Sequence, residues 1–139
     1  MAFTPYLAFN GTAREAFTTY ERIFGGELVL LSFADGPADA GMSAGAPPDG
    51  IMHAALSFGD GSLYGADDPT GGFDGTVRGM CVCYAAADPD AAKRVFEGLA
   101  EGGTVQMPLS ETFYSPAFGM CTDRFGIPWM VMVEAPALS

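Results

Sequence analysis

Basic residues are scarce in this chain of 139 residues, and Lys93 is its only lysine. Six Lys and Arg are outnumbered by seventeen Asp and Glu, so the formal net charge is −11. A surface of this sign repels nucleic-acid phosphates and anionic lipid headgroups. The composition therefore argues against nucleic acid and membranes as partners, and the acidic surface is best explained by solubility.

Long apolar runs are missing as well, and cysteines are few. No stretch approaches the ~20 apolar residues that span a bilayer, and the N-terminus does not have the pattern of a secretory signal. The three cysteines are Cys81, Cys83 and Cys121. Cys81 and Cys83 lie two apart in an apolar run and cannot bridge each other in a strand. We expect reduced thiols and a cytoplasmic location.

The motifs of several enzyme classes are also absent. The sequence has no Gly-rich phosphate loop, no paired catalytic carboxylates, no Ser-His-Asp order and no Cys-x-x-Cys ladder. His53 is the single histidine. It is a candidate general base or ligand-binding group. The alternative is a structural histidine that is hydrogen-bonded to a neighbouring strand or loop.

The first half of the chain reads as strand, helix and three strands. Apolar residues recur at helical spacing after a Thr12–Glu15 capping box, and Gly25-Gly26 ends that helix. Strands are predicted at residues 4–9, 27–33, 51–58 and 62–66, and Asp60-Gly61 joins the last two as a hairpin. Residues 34–49 are rich in Gly, Ala, Pro and Asp and predict a long, mobile loop.

The same order restarts in the second half. Asp88 and Pro89 predict the start of a second helix, which stops at Gly102-Gly103. Strands are predicted at residues 76–84, 104–109, near 113–121, and at 127–134. The two Gly-Gly stops are 77 positions apart. The repeat is one of pattern, because little sequence identity survives between the halves.

This repeat predicts an α+β fold of two βαβββ modules. In each module a helix covers one face of a short sheet, and the two modules together form a cupped, eight-stranded mixed sheet with a central cavity. We predict a single domain, residues 1–139, with a first module at 1–67, a linker at 68–75 and a second module at 76–139.

Two stretches identify a resemblance to a known superfamily. They are residues 5–17 (PYLAFNGTAREAF), continuing to 23–27 (IFGGE), and residues 113–134 (FYSPAFGMCTDRFGIPWMVMVE). They resemble the vicinal oxygen chelate superfamily, the glyoxalase/bleomycin-resistance/dioxygenase group, and most closely its PhnB-like branch. The resemblance implies the two-module fold, a homodimer and a small organic molecule as ligand. Some relatives carry a demethylubiquinone methyltransferase label, but nothing in this sequence resembles an S-adenosylmethionine site.

Strand alternation suggests which side chains face the predicted cavity. In residues 51–58 one face is wholly apolar (Met52, Ala54, Leu56 and Phe58) and should lie under the helices. The other face (Ile51, His53, Ala55 and Ser57) places His53 toward the cavity. For the last strand, either face is open to this role. We name as ligand-binding candidates His53, Tyr6, Tyr64, Cys83, Phe113, Tyr114 and Trp129. The alternative for the aromatic residues is core or dimer packing.

Metal-dependent members of the superfamily hold one divalent ion with His, Glu or Gln from the first and last strand of each module. The matching stretches here are residues 6–9, 63–66, 80–84 and 130–132, and they contain no histidine and no carboxylate. Asp67 and Glu134 are peripheral to them. Only Cys81, Cys83 and Tyr64 offer donor atoms there, and thiolates favour zinc or copper.

Two functions follow from the resemblance. The first is a metal-free protein that binds a small organic molecule, as the drug-sequestering bleomycin-resistance proteins do; for it we predict no metal ligands and no cofactor. The second is a divalent-metal-dependent lyase, isomerase or dioxygenase of the glyoxalase type. A third alternative is an interaction module whose cavity is filled by its own side chains.

Overall fold

Each half of the chain folds as one helix against a four-stranded mixed sheet. The computed structural model describes residues 3–35, 47–70, 72–113 and 115–134. Two compact units divide the chain, Met1–Thr76 and Val77–Ser139. In both units the elements follow the order strand, helix, strand, strand, strand. The two βαβββ modules predicted from the repeat are therefore confirmed.

The first module places its helix after its first strand. Its elements are β1 (Tyr6–Phe9), α1 (Ala13–Phe24), β2 (Glu27–Ser32), a 3-10 turn (Phe33–Asp35), β3 (Ile51–Phe58) and β4 (Gly61–Asp67). The sheet order is β1-β4-β3-β2, with β1 and β4 parallel and the other pairs antiparallel. Of the predicted loop at 34–49 the structure describes only the ends, where the N–H of Ala34 donates to the Pro48 carbonyl. Residues 36–46 lie outside the described part.

The second module repeats this topology. Its elements are β5 (Val82–Ala86), α2 (Pro89–Ala100), β6 (Thr104–Ser110), β7 (Phe118–Thr122) and β8 (Pro128–Val133). The sheet order is β5-β8-β7-β6, with β5 and β8 parallel. In the part of the chain that the structure describes, neither helix is long and apolar enough to cross a membrane.

Two strand boundaries in the second module differ from the prediction. For the strand predicted at residues 76–84 the start is wrong, because pairing with β8 begins only at Val82. Gly79, with φ of 78°, interrupts the extended chain before it. The strand expected near 113–121 starts only at Phe118. Before it, the Ser115 hydroxyl hydrogen-bonds to the carbonyl oxygens of Ala117 and Val133, which fixes this segment beside the end of β8.

The core lies between each helix and its sheet. The helix α1 buries Ala16, Phe17 and Tyr20, and Phe24 stacks on Phe58 with ring centroids 5.0 Å apart. On β3 the predicted helix-facing residues Ala54 and Leu56 are fully buried. In the second module α2 buries four apolar residues at helical spacing, Ala92, Val95, Phe96 and Leu99.

Ile51 was expected on the face opposite the helix, and that expectation is wrong. The residue is fully buried. The register between β2 and β3 shifts at this end, since Leu31 pairs with His53 whereas Ser32 pairs with Ile51. The extra residue on β3 is a bulge, and a bulge breaks the strict alternation of faces on which the prediction depended.

The two helices begin in different ways. At α2 the prediction is confirmed, because the Asp88 carboxylate accepts from the N–H of Ala91 at 2.8 Å and Pro89 is the first helical residue. At α1 the predicted capping box is wrong, since the Thr12 side chain makes no capping hydrogen bond. Asp67 replaces it. One of its carboxylate oxygens accepts from the N–H groups of Gly11 at 3.0 Å and Ala13 at 2.9 Å.

Asp67 therefore connects three segments of the first module. Its second carboxylate oxygen accepts from the N–H of Ile51 at 2.9 Å, and the side chain is only 6% exposed. It lies at the end of β4, as the sequence indicated, and from there its carboxylate reaches the backbone of the other two segments. The reason is the parallel pairing of Phe9 with Asp67, which brings the end of β4 beside the turn between β1 and α1.

The glycine pairs after each helix have a structural cause. A Cβ at Gly26 would lie 2.1 Å from the Ser57 carbonyl oxygen, and one at Gly103 would lie 2.1 Å from that of Thr122. In both modules the strand after the helix thus starts against the backbone of its sheet neighbour. Gly25 caps α1 with φ of 77°. The second helix ends slightly before its prediction, at Ala100, with Glu101 as its cap.

Candidate functional site

Each sheet has one face that is turned away from its helix, which we call the open face. Side chains of directly paired residues project to the same face. In the first module, pairing aligns Val29, Ala55, Tyr64 and Tyr6 across all four strands. Leu31 pairs with His53 and adds a second, parallel row. This open face carries three of the predicted ligand-binding residues.

Tyr6, His53 and Tyr64 form a compact group that we call the Tyr–His–Tyr cluster. The Tyr6 hydroxyl lies 3.1 Å from Nδ1 of His53. The imidazole centroid is 5.8 Å from the Tyr6 ring and 5.4 Å from the Tyr64 ring, and the two phenol rings are 6.5 Å apart. Two of the three ring pairs are edge-on, an arrangement that aromatic groups prefer.

The cluster is accessible and mostly apolar in its surroundings. Tyr6 is 55% exposed, and Val29 and Leu31 on β2 are exposed beside the cluster's strands. Burial of part of the Tyr6 ring raises the pKa of its hydroxyl, so this group stays protonated and available as a hydrogen-bond donor. When it donates to Nδ1 of His53, the imidazole keeps its own proton on Nε2, which is then a donor for a ligand.

Trp129 lies on the other side of its sheet. It is 2% exposed, and its Nε1–H donates to the Asp123 carboxylate at 2.9 Å. Val131 and Val133 are buried on the same face. The open face of β8 therefore carries Met130 and Met132. Trp129 thus packs in the core of the second module and does not belong to the open face.

The turn before β8 is held together by Asp123. Its carboxylate also accepts from the N–H groups of Phe125 at 2.9 Å and Ile127 at 3.0 Å. Gly126 adopts φ of 94° within the turn. The aspartate thus holds the turn before β8 and the indole of Trp129 at the same time.

The remaining candidates all belong to the second module. Phe113 is fully exposed in the segment between β6 and β7, and Tyr114 lies outside the described residues. Cys83 is exposed on β5, paired with Met130 and hence on the open face. Burial raises the pKa of its thiol, with further contributions from Cys81 and Glu134. A thiol that stays protonated is a poor nucleophile.

The open face of the second module also holds a feature that sequence reasoning missed. Pairing aligns Cys83 with Met130, Met130 with Met120, and Met120 with Met107. One sulfur-bearing side chain from every strand thus lies in a single line, which we call the sulfur row. The alternation of Met130 and Met132 was a partial signal, but the row exists only through inter-strand register.

The divalent ion of the metal-dependent relatives does not fit these residues. On the open faces, the first and last strands carry Tyr6 and Tyr64 in one module and Cys83 and Met130 in the other. Among the described residues no three His, Cys, Asp or Glu side chains are grouped closely enough to hold a metal. A phenol, a thiol and a thioether are a poor set of ligands for a hard divalent ion.

A separate groove lies on the helix side of the second module. Its volume is about 710 Å³, and Lys93, Phe96, Val105 and Leu109 are among its lining residues. None of the predicted site residues contributes to it. The groove therefore does not alter the assignment of the candidate site to the open faces.

Comparison with known proteins identifies the family of this chain. A family model described as 3-demethylubiquinone-9 3-methyltransferase matches residues 1–132, nearly the whole chain. The chain belongs to this family. It is the PhnB-like family that the two terminal stretches resemble, and the prediction made from them is confirmed.

Two relatives of this PhnB-like chain match it over almost its full length. Protein YjdN from Escherichia coli (strain K12) is 33% identical over 141 residues, which cover 96% of this chain and 95% of that protein. The crystal structure of protein PA1353 from Pseudomonas aeruginosa is 41% identical, with a TM-score of 0.86 over 96% of this chain and 98% of that one.

More distant structures share the fold alone. The PhnB protein from Bacillus cereus has a TM-score of 0.74 at 22% identity, over 96% of this chain and 99% of that one. A glyoxalase-related enzyme from Fulvimarina pelagi and a glyoxylase/bleomycin resistance protein/dioxygenase domain from Frankia sp. EAN1pec both have TM-scores of 0.61, at 13% and 16% identity. They cover 96% of this chain and 89% and 94% of their own. The PhnB-like family thus has the vicinal oxygen chelate fold.

Proposed function

We propose that this protein binds a small, planar organic molecule on the open face of its first module, without a divalent metal ion. The Tyr–His–Tyr cluster is the observation that carries the proposal. Its three rings come from three different strands, and Tyr6 remains more than half exposed within it. Such a group combines ring faces for stacking with hydrogen-bonding atoms that fix a ligand's orientation.

The chemistry of the surface narrows the class of ligand. Val29 and Leu31 offer exposed apolar area on the same sheet face as the rings, which favours a molecule with an apolar or aromatic body. The phenol hydroxyl of Tyr6 and the ring nitrogens of His53 favour one polar group at its edge. A net charge of −11 disfavours anions. We therefore expect neutral or cationic planar compounds to bind best.

We do not propose methyl transfer, the activity in the family's name, as the function of this protein. Methyl transfer requires a site for the methyl donor, and the sequence has nothing that resembles one for S-adenosylmethionine. The glyoxalase-type reactions require a divalent ion, and the described first and last strands of the modules present no suitable set of ligands for it.

Fluorescent-probe binding tests the proposal directly. We expect N-phenyl-1-naphthylamine, a neutral dye with a planar naphthyl ring, to bind with micromolar affinity and a rise in emission. EDTA should leave binding unchanged. Tyr64→Ala should weaken binding at least about ten-fold, because the loss of one stacking ring costs about 1.4 kcal/mol or more. Tyr6→Phe should weaken it less than Tyr6→Ala, since it removes only the hydroxyl.

Tyr84→Phe is the matched control, because Tyr84 pairs with Val131 on the helix-facing side of the second module. It should bind the dye like the unaltered protein. Equal affinity for the dye in Tyr64→Ala and in the unaltered protein would refute the assignment to this cluster. Loss of binding on chelation would instead favour a metal-dependent site.

We further propose a homodimer. Its support is the family resemblance together with the position of β2 as an edge strand of its sheet. Light scattering after size exclusion should give twice the mass of one chain. A monomer at micromolar concentration would contradict the proposal.

We also propose a cytoplasmic location. All three cysteines are free thiols in the structure, and Cys83 is exposed. Free, accessible thiols persist in reducing compartments and are oxidised elsewhere.

A further inference from the structure

The sulfur row of the second module is more than a run of apolar side chains. Cys83, Met130, Met120 and Met107 follow one another across β5, β8, β7 and β6, each in direct register with the next. Directly paired side chains have Cβ atoms about 4.5–5.5 Å apart. The chain has eight methionines and three cysteines in total, so four of its eleven sulfur atoms belong to this single line.

The row is accessible to a ligand. Cys83 is exposed, Met107 is 43% exposed, and Met120 and Met130 are half-buried. Glu134 directly follows β8, and its negative charge contributes, after burial and Cys81, to raising the pKa of the Cys83 thiol. Together with the acidic character of the whole chain, this carboxylate makes the surroundings attractive to a cation and unattractive to an anion.

Thioether and thiolate sulfur have a definite preference among metals. They are soft ligands that select Cu(I), whereas hard divalent ions require carboxylate, carbonyl or water oxygens. Methionine has three rotatable side-chain bonds, so sulfur atoms that start from neighbouring strands can converge on one ion. A row of this composition therefore discriminates against the ion used by metal-dependent members of the fold.

We propose that Cys83, Met130 and Met120, which lie on three adjacent strands, bind one soft monovalent metal ion, Cu(I). On binding, the Cys83 sulfur loses its proton to solvent and forms the one charged metal–ligand bond, and the thioethers bind as neutral donors. No electron is transferred. The site uses only the second module and is independent of the Tyr–His–Tyr cluster.

A competing explanation is that the row is an adaptable apolar surface for an organic ligand. Met→Leu substitutions separate the two. Leucine nearly matches methionine in volume and hydrophobicity, and such swaps usually cost less than about 1.5 kcal/mol of stability. An apolar ligand would therefore tolerate leucine, whereas a metal ion that is held by thioether sulfur would be lost.

The experiment uses the untagged, reduced protein under anaerobic conditions. Ag(I), a redox-inert stand-in for Cu(I), is titrated and its stoichiometry is read by native mass spectrometry. Cu(I) affinity is then measured by competition with bathocuproine disulfonate. The variants are Met120→Leu with Met130→Leu, and Cys83→Ser. The matched control is Met52→Leu with Met80→Leu, two methionines outside the row, with folding checked by circular dichroism.

We expect one Ag(I) or Cu(I) per chain and no binding of Mg²⁺. The double Met120/Met130 variant and Cys83→Ser should each lose at least about ten-fold in Cu(I) affinity, since even changes outside the first coordination sphere cost about 10–100-fold. The Met52/Met80 control should be unchanged. Dye binding to the Tyr–His–Tyr cluster should be unaffected in every variant, so the two proposals fail independently.

Three results would overturn the site: no Ag(I) binding, equal affinity in the Met120/Met130 variant, or an equal loss in the control. A second measurement needs no substitution. Bound Ag(I) should protect Met120 and Met130 of the unaltered protein from oxidation by hydrogen peroxide, read by peptide mass spectrometry, and leave exposed Met80 unprotected. Equal oxidation of all three with and without Ag(I) would also contradict the proposal.

Discussion

Replacing Asp67 with asparagine should lower the free energy of unfolding by about 2–4 kcal/mol. The carboxylate accepts from three backbone N–H groups, those of Gly11, Ala13 and Ile51. Asparagine keeps one acceptor oxygen but turns an NH₂ group toward one of these donors. That N–H is then left buried and unpaired, which costs about 1–3 kcal/mol. Loss of the negative charge near the start of α1 adds about 0.3–1 kcal/mol.

Urea unfolding followed by far-ultraviolet circular dichroism measures this effect. Asp68→Asn is the matched control, because the neighbouring Asp68 carboxylate also accepts three times, from the N–H and hydroxyl of Thr70 and from the N–H of Phe73. These bonds lie in a more exposed loop where water can replace them, so its substitution should cost clearly less. Equal losses in the two variants would show that burial of Asp67 is not the cause.

Replacing Gly26 with alanine should cost about 3 kcal/mol of stability. The residue has φ of 92°, and its new Cβ would lie 2.1 Å from the Ser57 carbonyl oxygen and 2.8 Å from Cβ of Phe58. Backbone on β3 cannot move away without disturbing its pairing with β2. The strain of a left-handed alanine therefore adds to a steric conflict with a sheet strand.

Gly25→Ala separates these two contributions. Gly25 has φ of 77°, yet among the described residues no atom beyond its chain neighbours lies within 4 Å of the position that a Cβ would take. Only the backbone strain should therefore appear, about 1–3 kcal/mol for alanine at φ of 77° and ψ of −160°, a conformation that is almost exclusive to glycine. Thermal and urea unfolding of both variants give the comparison. If Gly25→Ala were as damaging as Gly26→Ala, the close approach to Ser57 would not be the reason for the second glycine.

Local patterns were enough to predict the elements and their repetition. The helical spacing of apolar residues and the Gly-Gly stops located α1 closely, and Asp88-Pro89 located the first turn of α2. The alternation over residues 51–58 correctly predicted β3 and the helix-facing positions Ala54 and Leu56. These features depend on neighbours within a few positions along the chain, and such neighbours are visible in the sequence.

The errors lie where a distant segment overrides a local preference. Thr12 and Glu15 fit a capping box, yet Asp67 caps the helix because parallel pairing of β1 with β4 brings its charged acceptor there. Ile51 follows the alternation of its own strand only until a bulge changes its face. Neither competitor is near in sequence, so no window of residues could reveal it.

The candidate site shows the same division. The sequence was enough to select Tyr6, His53, Tyr64 and Cys83 as candidates. Motifs in two stretches of the chain indicated the PhnB-like family. Both inferences depend only on residue identity and on spacing along the chain. Which of these side chains meet is a matter of strand order and register between segments that are distant in sequence, 47 residues apart for Tyr6 and His53. Strand order and register bring Tyr6 and His53 together and place Trp129 in the core beside Asp123. They also align four sulfur-bearing residues from four separate strands.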